Sequence, residues 1–192
     1  MKKRHGHRVV EWAAVIALVW LLSGCVTASE PLYQGDRSKE PTNMKDFEDG
    51  PVRMRIPQGY VTKPIPPNSD ERFQTWLKKE GSPAELQIYC FGGFLNKGGV
   101  RLQLLRIGEA VMPNAVQIMK PHTMGTSNLS AVMEAYTGTI TAQGQEVPMN
   151  FYLAWKLNSR FGGCKYGLLA VTSKNSGDEF FPEFVAMVRS LQ

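Results

Sequence analysis

The chain has 192 residues, and 22 Lys and Arg against 17 Asp and Glu give it a formal net charge of +5. Most of this excess falls in the first 24 residues, so the remainder carries only about +2. Nucleic-acid binding typically needs a clustered basic patch, so this weak excess of positive charge does not support it, and no nucleic-acid partner is expected. The roughly 140 residues after position 50 suffice for one domain with a real core, but not for two.

The first 24 residues have the layout of a secretory signal peptide. A basic stretch, residues 1–8, precedes an apolar stretch from Trp12 to Leu22. A helix that crosses a bilayer needs about 20 apolar residues. The stretch from Val9 to Leu22 is only fourteen residues long, and Glu11 interrupts it. The pattern therefore favours a cleaved signal peptide, and an uncleaved N-terminal anchor helix is the alternative.

The motif Leu22-Ser23-Gly24-Cys25 resembles the lipobox of bacterial lipoproteins. This resemblance implies that Cys25 is the lipid attachment site and becomes the acylated N-terminus of the mature chain. A single acyl chain such as palmitate holds a protein only marginally, and two or more give stable attachment to a membrane. The resemblance further implies a periplasm-facing lipoprotein of the bacterial envelope. Val26 stands where such proteins often carry an inner-membrane retention aspartate, which favours the outer membrane.

Residues 25–50 are predicted to be a lipidated, flexible tether, and residues 51–192 a single globular domain. Turn-forming pairs such as Glu30-Pro31 and Asp49-Gly50 interrupt any periodicity in the tether. As a flexible coil, a segment of about 25 residues spans roughly 25–30 Å, enough to clear lipid headgroups. The alternative is that apolar residues of this segment pack on the domain: Leu32, Tyr33, Met44 and Phe47.

Apolar and polar residues alternate in several stretches of the domain's first half, which predicts strands. Val52 to Ile56 is the first of these strands. The stretch Arg72–Lys79 fits either a helix or the first arm of a hairpin that turns at Gly81-Ser82-Pro83. Leu86 to Phe91 is predicted to be a strand with one apolar face.

The pattern after the glycine-rich stretch at 92–99 is less regular. Val100, Leu102 and Leu104 alternate with polar residues and predict another strand, although the alternation ends at Leu105. Ala115–Met119 is predicted to be a short strand, and Lys120–Asn128 a loop.

The second half of the domain is more strongly patterned. Ala131–Ala142 and Val147–Leu157 flank a glycine turn and predict a β-hairpin. Cys164–Ser173 contains a run that is apolar on both faces, as expected of a strand covered on both sides. The chain closes with a predicted amphipathic helix whose apolar stripe must be buried against a sheet: Phe180, Phe184, Met187, Val188 and Leu191.

These elements predict an α+β fold, an antiparallel sheet meander packed by the C-terminal amphipathic helix. The turn Pro57-Gln58-Gly59-Tyr60 and the final Phe181, Phe184, Ser190 and Leu191 are similar to the PsbP-like α/β/α sandwich. That family also has a mid-chain helix, which has no counterpart in this interpretation. The resemblance implies an accessory protein that binds or assembles a partner without catalysis.

Two cysteines remain if Cys25 is acylated. An even pair in an exported protein predicts a disulfide between Cys90 and Cys164. The alternative is two buried free thiols that act as small apolar residues.

His122 lies between Met119 and Met124, and two thioethers with an imidazole are a weak candidate for a copper(I) site. Methionines are common core residues, so a surface loop is the preferred interpretation and no metal or other cofactor is predicted.

Several aromatic residues fall at predicted strand ends or glycine-rich turns, where they could form an exposed partner-binding patch: Trp76, Phe91, Phe94 and Phe161. For most of them, packing in the core or at its rim is the preferred interpretation. The resulting hypothesis is a membrane-anchored, non-catalytic envelope lipoprotein that binds a protein partner or an envelope component. The alternatives are an envelope enzyme with an unidentified active site and a carrier of an apolar ligand.

Overall fold

The computed structural model describes residues 33, 35–92, 95–124, 131–142, 144–157 and 165–191. Within them the chain forms nine strands and two helices. In chain order these are β1 (Met44–Asp49), β2 (Val52–Pro57), β3 (Tyr60–Thr62), β4 (Phe73–Lys79), β5 (Glu85–Phe91), α1 (Lys97–Val111), β6 (Val116–Met124), β7 (Ala131–Ala142), β8 (Gln145–Leu157), β9 (Lys165–Ser173) and α2 (Gly177–Ser190).

Seven of the strands form one antiparallel sheet, in the order β3-β4-β5-β9-β8-β7-β6. The remaining two, β1 and β2, form a separate antiparallel hairpin. β6 to β9 are a meander, and β9 returns to lie beside β5. Because β5 and β6 are four places apart, α1 must cross a face of the sheet to connect them. The predicted α+β class, with an antiparallel sheet and a C-terminal helix, is confirmed.

The sheet is covered on both faces, so alternate residues of its central strands enter two separate cores. Leu168 and Ala170 of β9 pack in the core beneath α2 and β2, whereas Leu169 packs in the core beneath α1. The same division applies to β5, where Ile88 faces α2 and Phe91 faces α1. The prediction that β5 has a single apolar face is therefore wrong, because its other face is covered by α1.

Helix α2 forms as its apolar spacing predicts. All five residues of the predicted stripe are buried, each at most 2% exposed. Burying a phenylalanine or leucine side chain stabilises a fold by roughly 1.5–3 kcal/mol, so this stripe anchors the helix on the sheet. Pro182 lies inside the helix near its N-terminal end.

The predicted strand from Val100 to Leu104 is wrong, because these residues lie in α1. Asn96 caps the helix by accepting a hydrogen bond from the Gly99 N–H at 2.9 Å. Residues four apart then share the buried face, and Leu102, at 50% exposure, points to solvent. This helix is the mid-chain element that the sequence interpretation lacked.

Glycine faces an aromatic ring at two close contacts beneath α1. A Cβ atom added to Gly108 would lie 2.0 Å from Cζ of Phe151, and one added to Gly167 would lie 2.6 Å from Cε2 of Phe91. Both positions therefore need the absence of a side chain.

Two further predictions about the sheet are decided by its strand pairing. Arg72–Lys79 is the hairpin arm rather than a helix, because β4 pairs with β5 and Gly81 adopts a φ of +68° at the turn. The predicted loop Lys120–Asn128 is wrong for residues 120–124, because β6 continues to Met124. An edge strand with irregular register can accommodate Pro121.

The N-terminal boundary of the folded part also differs from the prediction. Met44–Asp49 forms β1, so a flexible tether reaching to residue 50 is wrong for these residues. The alternative of packing on the domain is correct for Tyr33, Met44 and Phe47, which contact the core beneath α2. Leu32 lies outside the described residues.

Candidate functional site

An open groove of about 510 Å³ lies between α1, the β3–β4 loop and the sheet. We call it the aromatic groove. Its floor is Phe73, Trp76, Gln87 and Tyr89, and its walls are Pro66, Ser69, Asp70 and Arg72 of the loop and Gln103, Arg106, Ile107, Ala110 and Val111 of α1.

The floor of the aromatic groove is a row of rings contributed by β4 and β5. The rings of Phe73 and Tyr89 stack with centroids 5.0 Å apart, and Trp76 follows at 6.1 Å from Phe73. Phe73 and Trp76 are only half-buried, whereas Tyr89 is 4% exposed. A ligand in the groove would therefore meet mainly the first two rings.

Polar groups on the groove's loop wall are fixed by charge pairing. The Arg72 guanidinium contacts both carboxylate oxygens of Asp70 and donates to Oε1 of Gln103 at 3.3 Å. The hydrogen bonds from Arg72 hold the pKa of Asp70 below its ordinary value. Arg72 thereby links the β3–β4 loop to α1 by a hydrogen bond across this side of the groove.

Trp76 is oriented by two polar neighbours. Its Nε1 donates to Oε2 of Glu85 at 3.0 Å, and Nζ of Lys63 lies 3.7 Å from the ring centroid. Lys63 also donates to Oε1 of Glu85 at 3.1 Å. Burial raises the pKa of the Tyr89 phenol to about 12, so this ring stays neutral at physiological pH.

A second cleft, of about 480 Å³, lies on the opposite side of the sheet beside α2. We call it the helix cleft. It is lined by Tyr33, Asp36, Lys39 and Glu40 from the segment before β1, by Ile118, Met119, Ala135, Asn150 and Tyr152 from β6, β7 and β8, and by Gly177, Asp178, Phe181, Pro182 and Val185 from α2.

The helix cleft has an apolar floor and a charged rim. Tyr152 stacks on Phe181 at 5.3 Å, and Tyr33 meets the same ring edge-on at 5.8 Å. Burial raises the pKa of Tyr152, whose hydroxyl accepts a hydrogen bond from Nδ2 of Asn150 at 3.3 Å. Glu40 on the rim forms an ion pair with Arg189 of α2.

Comparison with solved structures finds this fold elsewhere. The chain is similar to cyanobacterial PsbP (CyanoP) from Synechocystis, with a TM-score of 0.54, 10% identity and coverage of 79% of this chain and 93% of that chain. It is also similar to the Ran-binding protein Mog1p from Saccharomyces cerevisiae, with a TM-score of 0.56, 8% identity and coverage of 79% and 96%. The chain has a PsbP-like fold. No protein-family model matches the sequence, and no curated protein is similar to it.

Only part of the predicted aromatic patch is found on the surface of this PsbP-like fold. Trp76 lies in the aromatic groove, whereas Phe91 is fully buried beneath α1, so for Phe91 the alternative of core packing is correct and the exposed patch is wrong. Phe94 and Phe161 lie outside the described residues. The sequence interpretation missed Phe73 and Tyr89. Tyr89 shares a strand face with Gln87, which pairs with Trp76, but Phe73 reaches that face only through the irregular register between Phe73 and Thr75, which strict alternation does not predict.

The predicted cysteine and lipid sites are only partly covered by the described residues. Cys90 is a half-buried, disulfide-bonded residue of β5. Cys25 and Cys164 both lie outside the described residues. Lipid attachment at Cys25 and pairing of Cys90 with Cys164 therefore stay predictions.

The weak copper candidates all lie on β6. Met124 is buried in the core beneath α2, and Met119 packs against that core. Nδ1 of His122 lies 2.6 Å from the carbonyl oxygen of Lys120. In the described ranges, no group of three or more His, Cys, Asp or Glu side chains could hold a metal ion. Neither described helix is long and apolar enough to cross a membrane.

Proposed function

We propose that the protein is a lipid-anchored binding module of the bacterial envelope. In this proposal it catalyses no reaction and holds an apolar segment of a protein partner, or an envelope component, in the aromatic groove. One observation carries the proposal: Phe73 and Trp76 are left half-exposed at the floor of an open groove beside α1.

Aromatic rings in a partly buried groove are the side chains that contribute most to binding energy at protein interfaces. The apolar wall of α1 supports this role, because Val111 is 44% exposed there. Arg106 on the same wall is exposed and makes no hydrogen bond or ion pair with the other described residues. A partner with an apolar side chain next to a carboxylate would fit both features.

The groove can be tested with Val111→Lys in the full-length protein in its native host. A cation at the C-terminal end of a helix is favourable, so this change should not unfold α1. A photo-crosslinker at the exposed Ala110 should capture one partner species in the parent, and Val111→Lys should reduce that product at least about tenfold.

Val61→Lys is the matched control, since Val61 has similar exposure, 41%, on β3 and does not line the groove. It should leave the crosslinked product unchanged. Equal capture from Ala110 and from a probe at Val61, or no effect of Val111→Lys, would argue against a specific groove.

The anchor is tested separately by Cys25→Ala, with Thr27→Ala as the control. The first variant should move the protein from the membrane to the soluble fraction, because the acylated thiol is lost. Unchanged membrane association of Cys25→Ala would contradict the anchor and leave the groove experiment unaffected.

A carrier of a small apolar ligand is the second candidate. It is favoured by the predominantly apolar α1 wall of the groove, formed by Ile107, Ala110 and Val111. Organic extraction of the purified protein followed by mass spectrometry would find a stoichiometric ligand that Val111→Lys loses and Val61→Lys retains.

A further inference from the structure

The outer edge of β6 is the end of the seven-stranded sheet. β6 pairs with β7 on one side only, so its outward N–H and C=O groups face no further strand of the described sheet. Val116 and Ile118 on this strand are exposed by 64% and 56%. Gln117 between them points the other way, and its Nε2 donates to Oε2 of Glu134 at 2.9 Å. Ile118 lies at the irregular register between Gln117 and Met119 and lines the helix cleft, and Val116 is exposed near it at the same open strand edge.

The same edge already accepts a backbone hydrogen bond from outside the sheet. The N–H of Tyr33 donates to the carbonyl oxygen of Thr123 at 2.8 Å, near the C-terminal end of β6. The edge is thus geometrically competent to pair with an extended segment. Toward Val116, this pairing does not continue among the described residues.

The helix cleft lies directly beside this free part of the edge, because Ile118 and Met119 form one of its walls. Its floor offers apolar contact with Phe181 and Val185 of α2. Strand addition combines such a pair of features: backbone hydrogen bonds provide affinity, and a pocket for alternate side chains provides specificity.

The rim of the cleft specifies the charge of an occupant. Asp36 and Asp178 are exposed and form no ion pair with other described residues, whereas Glu40 is neutralised by Arg189. Lys39 is the lining cation, so the rim is acidic overall. An incoming segment with basic residues is therefore complementary to this rim.

We propose that an extended, basic segment of a protein partner adds to the sheet as a strand beside Val116–Ile118 and places an apolar side chain in the helix cleft. This surface lies on the opposite face of the sheet from the aromatic groove. The inference extends the proposed binding function to a second surface and does not depend on the groove.

The test uses the full-length protein in detergent and a short synthetic peptide that alternates lysine with valine and phenylalanine. Comparison peptides carry glutamate for each lysine, or N-methyl groups on alternate backbone nitrogens. The lysine peptide should bind at least about tenfold more tightly than both comparison peptides, because they lose charge complementarity and strand pairing respectively. It should also slow amide hydrogen exchange at Val116–Ile118.

Ile118→Lys should weaken peptide binding at least about tenfold, and Asp178→Lys should reverse the preference between the lysine and glutamate peptides. Val61→Lys and the groove variant Val111→Lys should leave peptide binding unchanged. Absence of binding, equal binding of the N-methylated peptide, or exchange protection away from β6 would overturn the proposal. Pairing of β6 with a second copy of the chain, seen as a dimer lost in Ile118→Lys, would also overturn it.

Discussion

The Arg101 guanidinium and the Glu134 carboxylate form a bidentate ion pair, in which the distances from Nε to Oε1 and from Nη2 to Oε2 are both 2.8 Å. The Glu134 side chain is fully buried, and Arg101 is its cation partner on α1. Gln117 of β6 donates to the same carboxylate. The ion pair and this hydrogen bond therefore join α1 to β7 and β6, the two strands at one end of the sheet.

Arg101→Met should destabilise the fold by about 3–5 kcal/mol, because it leaves a buried carboxylate without its cation. Urea unfolding measures this loss. Arg106→Met should change stability little, because the Arg106 side chain is exposed and forms no ion pair with the described residues. The double variant Arg101→Met with Glu134→Leu should recover most of the loss, since no buried charge remains. A double variant as unstable as Arg101→Met would contradict this account.

Gly108→Ala should destabilise the fold by about 1–3 kcal/mol, although alanine favours helices, because its Cβ has no room beside Phe151. Gly98→Ala is the matched control in the same helix. Its Cβ would meet only Oδ1 of Asn96, at an ordinary 3.5 Å, and should stabilise α1 by about 0.5–1 kcal/mol. Thermal unfolding of the two variants should therefore shift in opposite directions, and equal shifts would refute the close contact.

Lys156 is 4% exposed, and its Nζ donates to the carbonyl of Leu191 without an ion pair in the described part of the chain. Burial lowers its pKa, so the unfolded chain binds this proton more tightly than the folded protein. Stability should consequently rise with pH through the interval between the folded pKa and the ordinary value of 10.5.

Lys156→Met should abolish this rise and increase stability at neutral pH by about 1 kcal/mol, since no charge is buried. Urea unfolding between about pH 7 and 10.5 measures both effects as the difference between the parent and Lys156→Met, because the ionisation of unfolded tyrosines is common to both proteins and cancels. Lys120→Met, at an exposed position of β6, is the control and should keep the parent's pH profile.

Non-reducing peptide mapping should find Cys90 joined to Cys164, with Cys25 acylated. Loss of a bridge across 74 residues should cost about 4 kcal/mol, so Cys164→Ser should unfold at lower urea concentration. Cys25→Ala should leave the stability of the domain unchanged. A Cys25–Cys90 peptide would contradict both the pairing and the lipid anchor.

Strands and helices were predictable from the sequence where the periodicity of their apolar residues matches the face that is buried in the fold. The β7–β8 hairpin and α2 have the periodicity that their burial requires, as Phe180 and Phe184 illustrate. Helix α1 was missed, because its glycines weaken helix propensity and Val100 to Leu104 mimic a strand over a short window. Its buried residues recur every four positions, a signal that a longer window would have shown.

The candidate binding surfaces were less predictable than the fold. Trp76 was singled out, but its neighbours Phe73 and Tyr89 become a groove only when β4 pairs with β5 and α1 crosses beside them. The burial of Phe91 depends equally on α1. The sequence can therefore single out aromatic residues as candidates for a binding surface. Whether each ring is exposed depends on packing between elements that are distant in sequence.

The bond from Tyr33 to Thr123 determines how mechanical load would enter the molecule. Tension applied at the N-terminal end of the described residues would act first on this bond and on the contact of the Tyr33 ring with Phe181, and then on the neighbouring edge of the sheet. Such a pull would load the border of β6 and the packing beneath α2 before the core beneath α1. If the protein is anchored as proposed, tension from the membrane would therefore change which backbone groups of β6 are open to pairing.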